Sequence, residues 1–135
     1  MANHEHKTHK EHIDHLLKAV EYFKDSSNFL LMLSVVALGW MVEHPGGVHE
    51  SLRDPIVLCM GLSVVFGLFT MGLIPLVAET LTGNTQSIYD VRGEFRTFVL
   101  GGRHHSLPLK AVCWPQQVLF IAGILLYAIG NVMKP

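Results

Sequence analysis

Residues 55–78 read PIVLCMGLSVVFGLFTMGLIPLVA, and none of these 24 residues is Asp, Glu, Lys or Arg. A helix needs about 20 apolar residues to cross the hydrocarbon core of a bilayer, which is about 30 Å thick. The run is therefore long enough to span a membrane with some tilt. Pro75 lies in the last turns of this span and predicts a kink that neighbouring helices can accommodate.

Two further runs without charged residues, 29–42 and 116–133, lie on either side of the first. The chain has 135 residues, of which 50% are hydrophobic and 16% charged. Because a soluble domain distributes its charges along the sequence, this segregation excludes an ordinary soluble enzyme, a disordered chain and a disulfide-stapled secreted domain. We predict an all-α integral membrane protein with spans at about residues 28–43, 55–79 and 116–133. The first span is short, so Tyr22 and Phe23 are expected at one interface and Trp40 at the other.

The N-terminal segment, residues 1–27, is polar and rich in histidine. Its apolar residues recur at helical spacing: Ile13, Leu16, Leu17, Val20 and Phe23. This pattern predicts an amphipathic helix that lies on the bilayer surface or on a partner. Ser26, Ser27 and Asn28 are typical helix-capping residues and predict a change of direction before the first span.

The connection between the second and third spans, residues 80–115, is the longest in the chain. Apolar residues mark one face of a possible helix in it: Ile88, Val91, Phe95, Phe98 and Val99. The other face carries Asp90, Arg92, Glu94 and Arg96. We therefore predict a second, interfacial helix that ends at Gly101 and Gly102.

Lysine and arginine predict the orientation. Eight of the ten flank one side of the predicted membrane, in the N-terminal segment and the long connection, and two, Arg53 and Lys134, flank the other. Basic residues accumulate on the cytoplasmic side of a membrane protein. The sequence predicts a multi-pass protein of the bacterial inner membrane with a cytoplasmic N-terminus and the C-terminus on the opposite side.

Histidine is the unusual component of the composition, with nine residues in all. Five of them fall in the first fifteen residues: His4, His6, His9, His12 and His15. Neighbours in this series share part of a helix face, which makes the segment a candidate site for a divalent metal such as zinc, nickel or copper. A pH-sensitive surface helix and a solvated tail with no specific role are the alternative interpretations.

A second polar group lies on the predicted cytoplasmic face: Arg92, Arg96, Arg103, His104 and His105. These residues are candidate contacts for lipid headgroups or for an acidic partner surface. The alternative is that they only flank the spans, as basic residues do on this side of a membrane. The net charge of −1 gives no basic field for nucleic acid.

The spans contain no histidine that would ligate a haem and no carboxylate or lysine near the bilayer centre, where such groups mark ion pathways. We therefore expect no enzyme activity and no cofactor within the chain, although a lipid, quinone or pigment can lie at a subunit boundary. Small residues offer surfaces for close helix packing: Gly61, Gly67, Gly72, Gly123 and Gly130. Polar residues in the spans are candidates for hydrogen bonds between helices: Ser34, Ser63, Thr70 and Asn131.

Our first functional hypothesis is a small non-catalytic subunit of a membrane complex, such as a respiratory, photosynthetic, transport or secretion assembly, with other membrane subunits and the bilayer as partners. The second is a metal- or pH-responsive membrane regulator that uses the His-rich N-terminus. The third is a small homo-oligomeric pore lined by Ser63, Thr70 and Asn131.

Overall fold

Three long helices form most of the protein. The structure, a computed structural model, describes residues 2–44, 46, 48–81, 86–96 and 104–133, without the side chains of residues 2–9, 94–96, 104 and 105. The helices are α1 (Ala2–Glu43), α2 (Glu50–Thr80) and α3 (Lys110–Val132). Helix α2 is central, since it packs along both α1 and α3, whereas α1 and α3 touch each other little.

All three helices are long and apolar enough to cross a membrane, over Lys10–Glu43, Glu50–Thr80 and Lys110–Val132. Large apolar side chains on each helix point outward; Phe29, Phe69 and Ile121 are all more than half exposed. Such surfaces are costly in water and are normal where hydrocarbon is the solvent. The prediction of three helices long and apolar enough to span a membrane is confirmed, and they indicate a multi-pass membrane protein.

The predicted break at Ser26–Asn28 is absent, because α1 is one continuous helix of 42 residues. At 1.5 Å per residue it is about 63 Å long, roughly twice the hydrocarbon thickness. The reason lies at Ser27, which is buried and donates to a side chain of α3 rather than capping a new helix. No proline or glycine lies between residues 2 and 38 to end the helix.

Helices α2 and α3 begin earlier than the sequence predicted. Each begins five residues before a proline, at Glu50 before Pro55 and at Lys110 before Pro115. The predicted spans begin at Pro55 and directly after Pro115. A proline this close to the N-terminus of a helix removes only one backbone hydrogen bond, so the helix tolerates it.

The predicted interfacial helix between the second and third spans is wrong in the part that the structure describes. After one 3₁₀ turn (Ile88–Asp90), strand β1 (Arg92–Arg96) pairs with the antiparallel strand β2 (His104–Pro108). Residues 97–103 of the predicted helix lie outside the described residues. A Cβ added to the buried Gly93 would lie 2.9 Å from Leu73 Cδ2, so the strand approaches α2 more closely than a side chain at this position would permit.

Two apolar clusters fix the direction of the helices. The proximal cluster lies at the hairpin end and joins Phe23 of α1, Val77 of α2 and Cys113 of α3. The distal cluster joins Met41 of α1, Met60 of α2 and Phe120 of α3. The proximal cluster combines the middle of α1 with the end of α2 and the beginning of α3, and the distal cluster combines the end of α1 with the first half of α2 and the middle of α3, so successive helices run antiparallel.

Candidate functional site

A group of polar side chains lies inside the spans, where the three helices meet. We define the polar cluster as Ser27, Ser34, Ser63 and Gln116, whose exposed fractions are at most 3%. Ser27 and Ser34 come from α1, Ser63 from α2 and Gln116 from α3. An unpaired polar group at this depth would cost free energy, so the partners of each atom decide what the cluster does.

Gln116 has partners on both other helices. Its Oε1 accepts a hydrogen bond from Ser27 Oγ at 3.1 Å, and its Nε2 donates to the Ser27 carbonyl at 3.2 Å. Ser63 Oγ donates to the Gln116 carbonyl at 3.0 Å. One residue of α3 is therefore bonded to α1 through its side chain and to α2 through its backbone.

The cluster continues from Ser63 to α1. Ser34 Oγ lies 3.3 Å from Ser63 Oγ, and it donates to the Leu30 carbonyl, one turn earlier in its own helix, at 2.9 Å. Serine hydroxyl and glutamine amide groups do not ionise at physiological pH. The arrangement is therefore suited to holding helices in register rather than to acid–base chemistry.

Gly67 gives the Gln116 amide its space. A Cβ at residue 67 would lie 2.8 Å from Gln116 Nε2 and 3.1 Å from Leu31 Cδ1. The absence of a side chain here lets α2 approach α1 and α3 at the same level, which is the usual role of small residues in membrane helix packing.

The five predicted packing glycines have different surroundings. A Cβ at Gly123 would meet the Met60 side chain at 2.9 Å, and one at Gly130 would collide with Val48. A Cβ at Gly61 or Gly72 would meet nothing within 4 Å. The close contacts therefore lie on α3 and at Gly67, while Gly61 and Gly72 leave open surface on α2.

The polar residues predicted to form hydrogen bonds between helices also differ in their surroundings. Ser34 and Ser63 join helices, whereas Thr70 donates to Phe66 O at 2.8 Å and Asn131 to Tyr127 O at 3.4 Å, each within its own helix. Ser63 and Thr70 are fully buried inside this chain. Neither of these two side chains faces an outer surface that could line a pore between copies of the chain.

The candidate metal site lies in the N-terminal part of α1, before the uncharged run of this helix. His12 and His15 are exposed on this helix. The side chains of His4, His6 and His9 lie outside the described residues. Among the side chains that the structure describes, no three His, Cys, Asp or Glu residues are placed together to hold a metal ion.

Four of the five candidate headgroup contacts belong to the hairpin. Arg92 is exposed and donates to Ser106 Oγ at 3.4 Å. Arg96 is directly opposite His104 in the ladder, and His105 is opposite Phe95. The side chains of Arg96, His104 and His105, and the whole of Arg103, lie outside the described residues.

Sequence analysis missed Gln116 as a functional residue, because it placed this glutamine at the first position of the third span. The structure puts six residues of α3 before it, so its amide lies inside the bundle. The available signal was the pair of amide side chains, Gln116 and Gln117, at the start of one uncharged run, together with serines in the other two runs. The chain matched no known protein family, no curated protein and no solved structure.

Proposed function

We propose that this protein is a non-catalytic, structural subunit of a multi-subunit membrane assembly. The polar cluster supports this most directly. Its hydroxyl and amide groups are used to join α1, α2 and α3, with bonds of 3.0 to 3.2 Å between different helices. A three-helix unit that is fixed internally can offer its outward apolar surfaces to other subunits and to lipid.

The two alternative functions receive less support. A pore lined by Ser63, Thr70 and Asn131 would need these side chains on an outer surface; Asn131 is exposed, but Ser63 and Thr70 are fully buried. A metal-responsive role would need a ligand set, and the described side chains offer none. Neither alternative requires the bonds that Gln116 makes.

Photo-crosslinking in the native host tests the proposal. A benzoylphenylalanine is incorporated at Phe29, Phe69 or Ile121, which are more than half exposed on α1, α2 and α3 respectively. We expect illumination to join at least one position to a different membrane protein in one discrete adduct, because a subunit contact holds one partner at one distance. Mass spectrometry of the adduct identifies that partner.

The matched control carries the same group at Phe120, which is 8% exposed in the distal cluster. This variant should give no adduct with a second protein. Adducts with lipid alone, from all three exposed positions, would contradict a subunit role. Adducts only between copies of the chain would indicate a homo-oligomer instead.

We further propose that the N-terminus lies in the cytoplasm of a bacterial cell and the C-terminus across the inner membrane. The proposal rests on the eight-to-two distribution of Lys and Arg about the spans. In sealed inner-membrane vesicles of known sidedness, Ala2→Cys and Lys134→Cys variants should react with an impermeant maleimide from opposite faces. A Cys59→Ala, Cys113→Ala background removes the native thiols. Labelling of both positions from the same face would refute the arrangement.

A further inference from the structure

A cavity of about 510 Å³ lies beside α1, at the level where the charged part of the chain gives way to the apolar spans. Helix α1, the segment at residues 86–89 and Gln117 of α3 surround it. The uncharged run of α1 begins at Ser26, next to Asp25, so this level corresponds to the headgroup region of a bilayer. The volume is within the range of small-molecule binding sites.

The lining of this cavity combines an apolar floor with a polar rim. Leu16, Phe23 and Ile88 form the floor and are all buried. The rim carries Ser87, whose Oγ accepts a hydrogen bond from the Tyr89 backbone N–H at 3.3 Å, and five further hydrogen-bonding side chains: Tyr22, Ser26, Gln86, Tyr89 and Gln117. None of these five side chains makes a hydrogen bond to another described residue, so all of them are available to a ligand.

The charges around the cavity restrict the chemical class of the ligand. Among the side chains that the structure describes, no Asp, Glu, Lys, Arg or His lines the cavity. The nearby Lys110 and Asp90 are paired with each other at 2.6 Å. A phosphate headgroup is normally held by Arg or Lys, and an ammonium group by a carboxylate. The rim therefore suits an uncharged headgroup whose oxygen atoms accept or donate hydrogen bonds.

A second cavity can hold the apolar chain of a molecule that has such a headgroup. It is an apolar groove of about 340 Å³ between α1 and α3, with Met60 of α2 among its lining residues. On α1, Leu33 of the groove follows Ser26 of the first cavity by seven residues, and on α3, Ile124 follows Gln117 by seven. Seven residues are two turns, so the groove lies on the same helix faces about 10 Å further into the span.

We propose that these two cavities bind one uncharged membrane amphiphile, with its headgroup at the rim and its chain along the groove. The shared chemistry is a ring with several oxygen atoms on an apolar chain, which a quinone or a glycosyl lipid provides. This site is independent of the structural role, since it uses none of the residues of the polar cluster.

Native mass spectrometry of the full chain, released from phosphatidylcholine nanodiscs, tests the site. Separate titrations add a decyl benzoquinone, a monoglucosyl diacylglycerol or phosphatidylglycerol as an anionic reference. We expect saturable binding of one molecule for at least one of the two uncharged probes, and weaker binding of phosphatidylglycerol. Which uncharged probe binds distinguishes a quinone from a glycolipid headgroup.

The variant Tyr89→Phe, Gln117→Leu removes one hydroxyl and one amide from the rim and keeps the side-chain sizes. Binding should weaken by about tenfold, because each lost neutral hydrogen bond typically costs about 0.5–1.5 kcal/mol. The control variant Asn131→Leu removes an exposed amide outside both cavities and should bind as the wild type does. Equal binding of phosphatidylglycerol, no saturable binding of either uncharged probe, or unchanged binding by the double variant would each overturn the proposal.

Discussion

Replacing Gln116 with Ala is expected to lower the free energy of unfolding by about 2–4 kcal/mol, the largest loss for a single truncation in the spans. Two effects combine in this change. The fully buried side chain leaves a cavity among α1, α2 and α3. The Ser27 hydroxyl and carbonyl, which the amide satisfies at 3.1 and 3.2 Å, also lose their partner inside the bundle, where Ser27 is 3% exposed.

The neighbouring residue supplies the control. Gln117→Ala removes the same side chain one position later, where it is exposed, and should change stability by less than about 0.5 kcal/mol. Both variants are compared by SDS titration in mild detergent with circular dichroism as the signal. Gln116→Met keeps most of the volume and should cost about 1–2 kcal/mol, which isolates the hydrogen bonds. Wild-type stability of Gln116→Met would mean that these bonds contribute nothing.

The second large effect is expected for Gly67→Val. The Cβ alone would lie 2.8 Å from Gln116 Nε2 and 3.1 Å from Leu31 Cδ1, and the two methyl groups add further overlap. The Gln116 and Leu31 side chains must then leave their positions, or α2 must move away from α1 and α3. We expect a loss of about 3 kcal/mol, at the upper end of the usual cost of overpacking, because the hydrogen bonds of Gln116 are displaced as well.

Gly61→Val is the matched control, since it introduces the same side chain two turns earlier on α2 into open space. Its stability should stay within about 0.5 kcal/mol of the wild type. A double-mutant cycle with the milder Gly67→Ala tests the mechanism. In a Gln116→Ala background the closest opposing atom is gone, so Gly67→Ala should cost at least about 1 kcal/mol less than in the wild type. Strict additivity of the two substitutions would show that Gly67 acts independently of Gln116.

The three spans were predictable because the information for them is local. Runs without charge are visible directly in the sequence, and hydrocarbon imposes a minimum length on each of them. The exact ends of the helices were harder to predict. A proline is typical of the first turn of a helix, but α2 and α3 begin five residues before Pro55 and Pro115. The break expected at Ser26–Asn28 failed for a different reason. Whether Ser27 caps a helix or joins two helices depends on Gln116, which is 89 residues away.

The hairpin of β1 and β2 could have been predicted from a two-residue period in the sequence. Charged residues at 92, 94 and 96 alternate as a strand requires, and the Gly101–Gly102 pair is typical of a turn. We instead weighted the helical spacing of the apolar residues. Tertiary contact decides between helix and strand here, because Gly93 packs closely against Leu73 and Leu76 of α2. Likewise, neither cavity was visible in the sequence, since each is formed by residues from separate segments.

The two partners of the hydrogen bond between Ser27 and Gln116 are synthesised at different times. Chains emerge from the ribosome with the N-terminus first, so α1 and α2 leave the ribosome before Gln116 does. Until α3 packs against them, the Ser27 side chain lacks the Gln116 amide to which it is bonded in the complete bundle. Arrival of α3 therefore completes the hydrogen bonds that join the beginning of the third helix to the first.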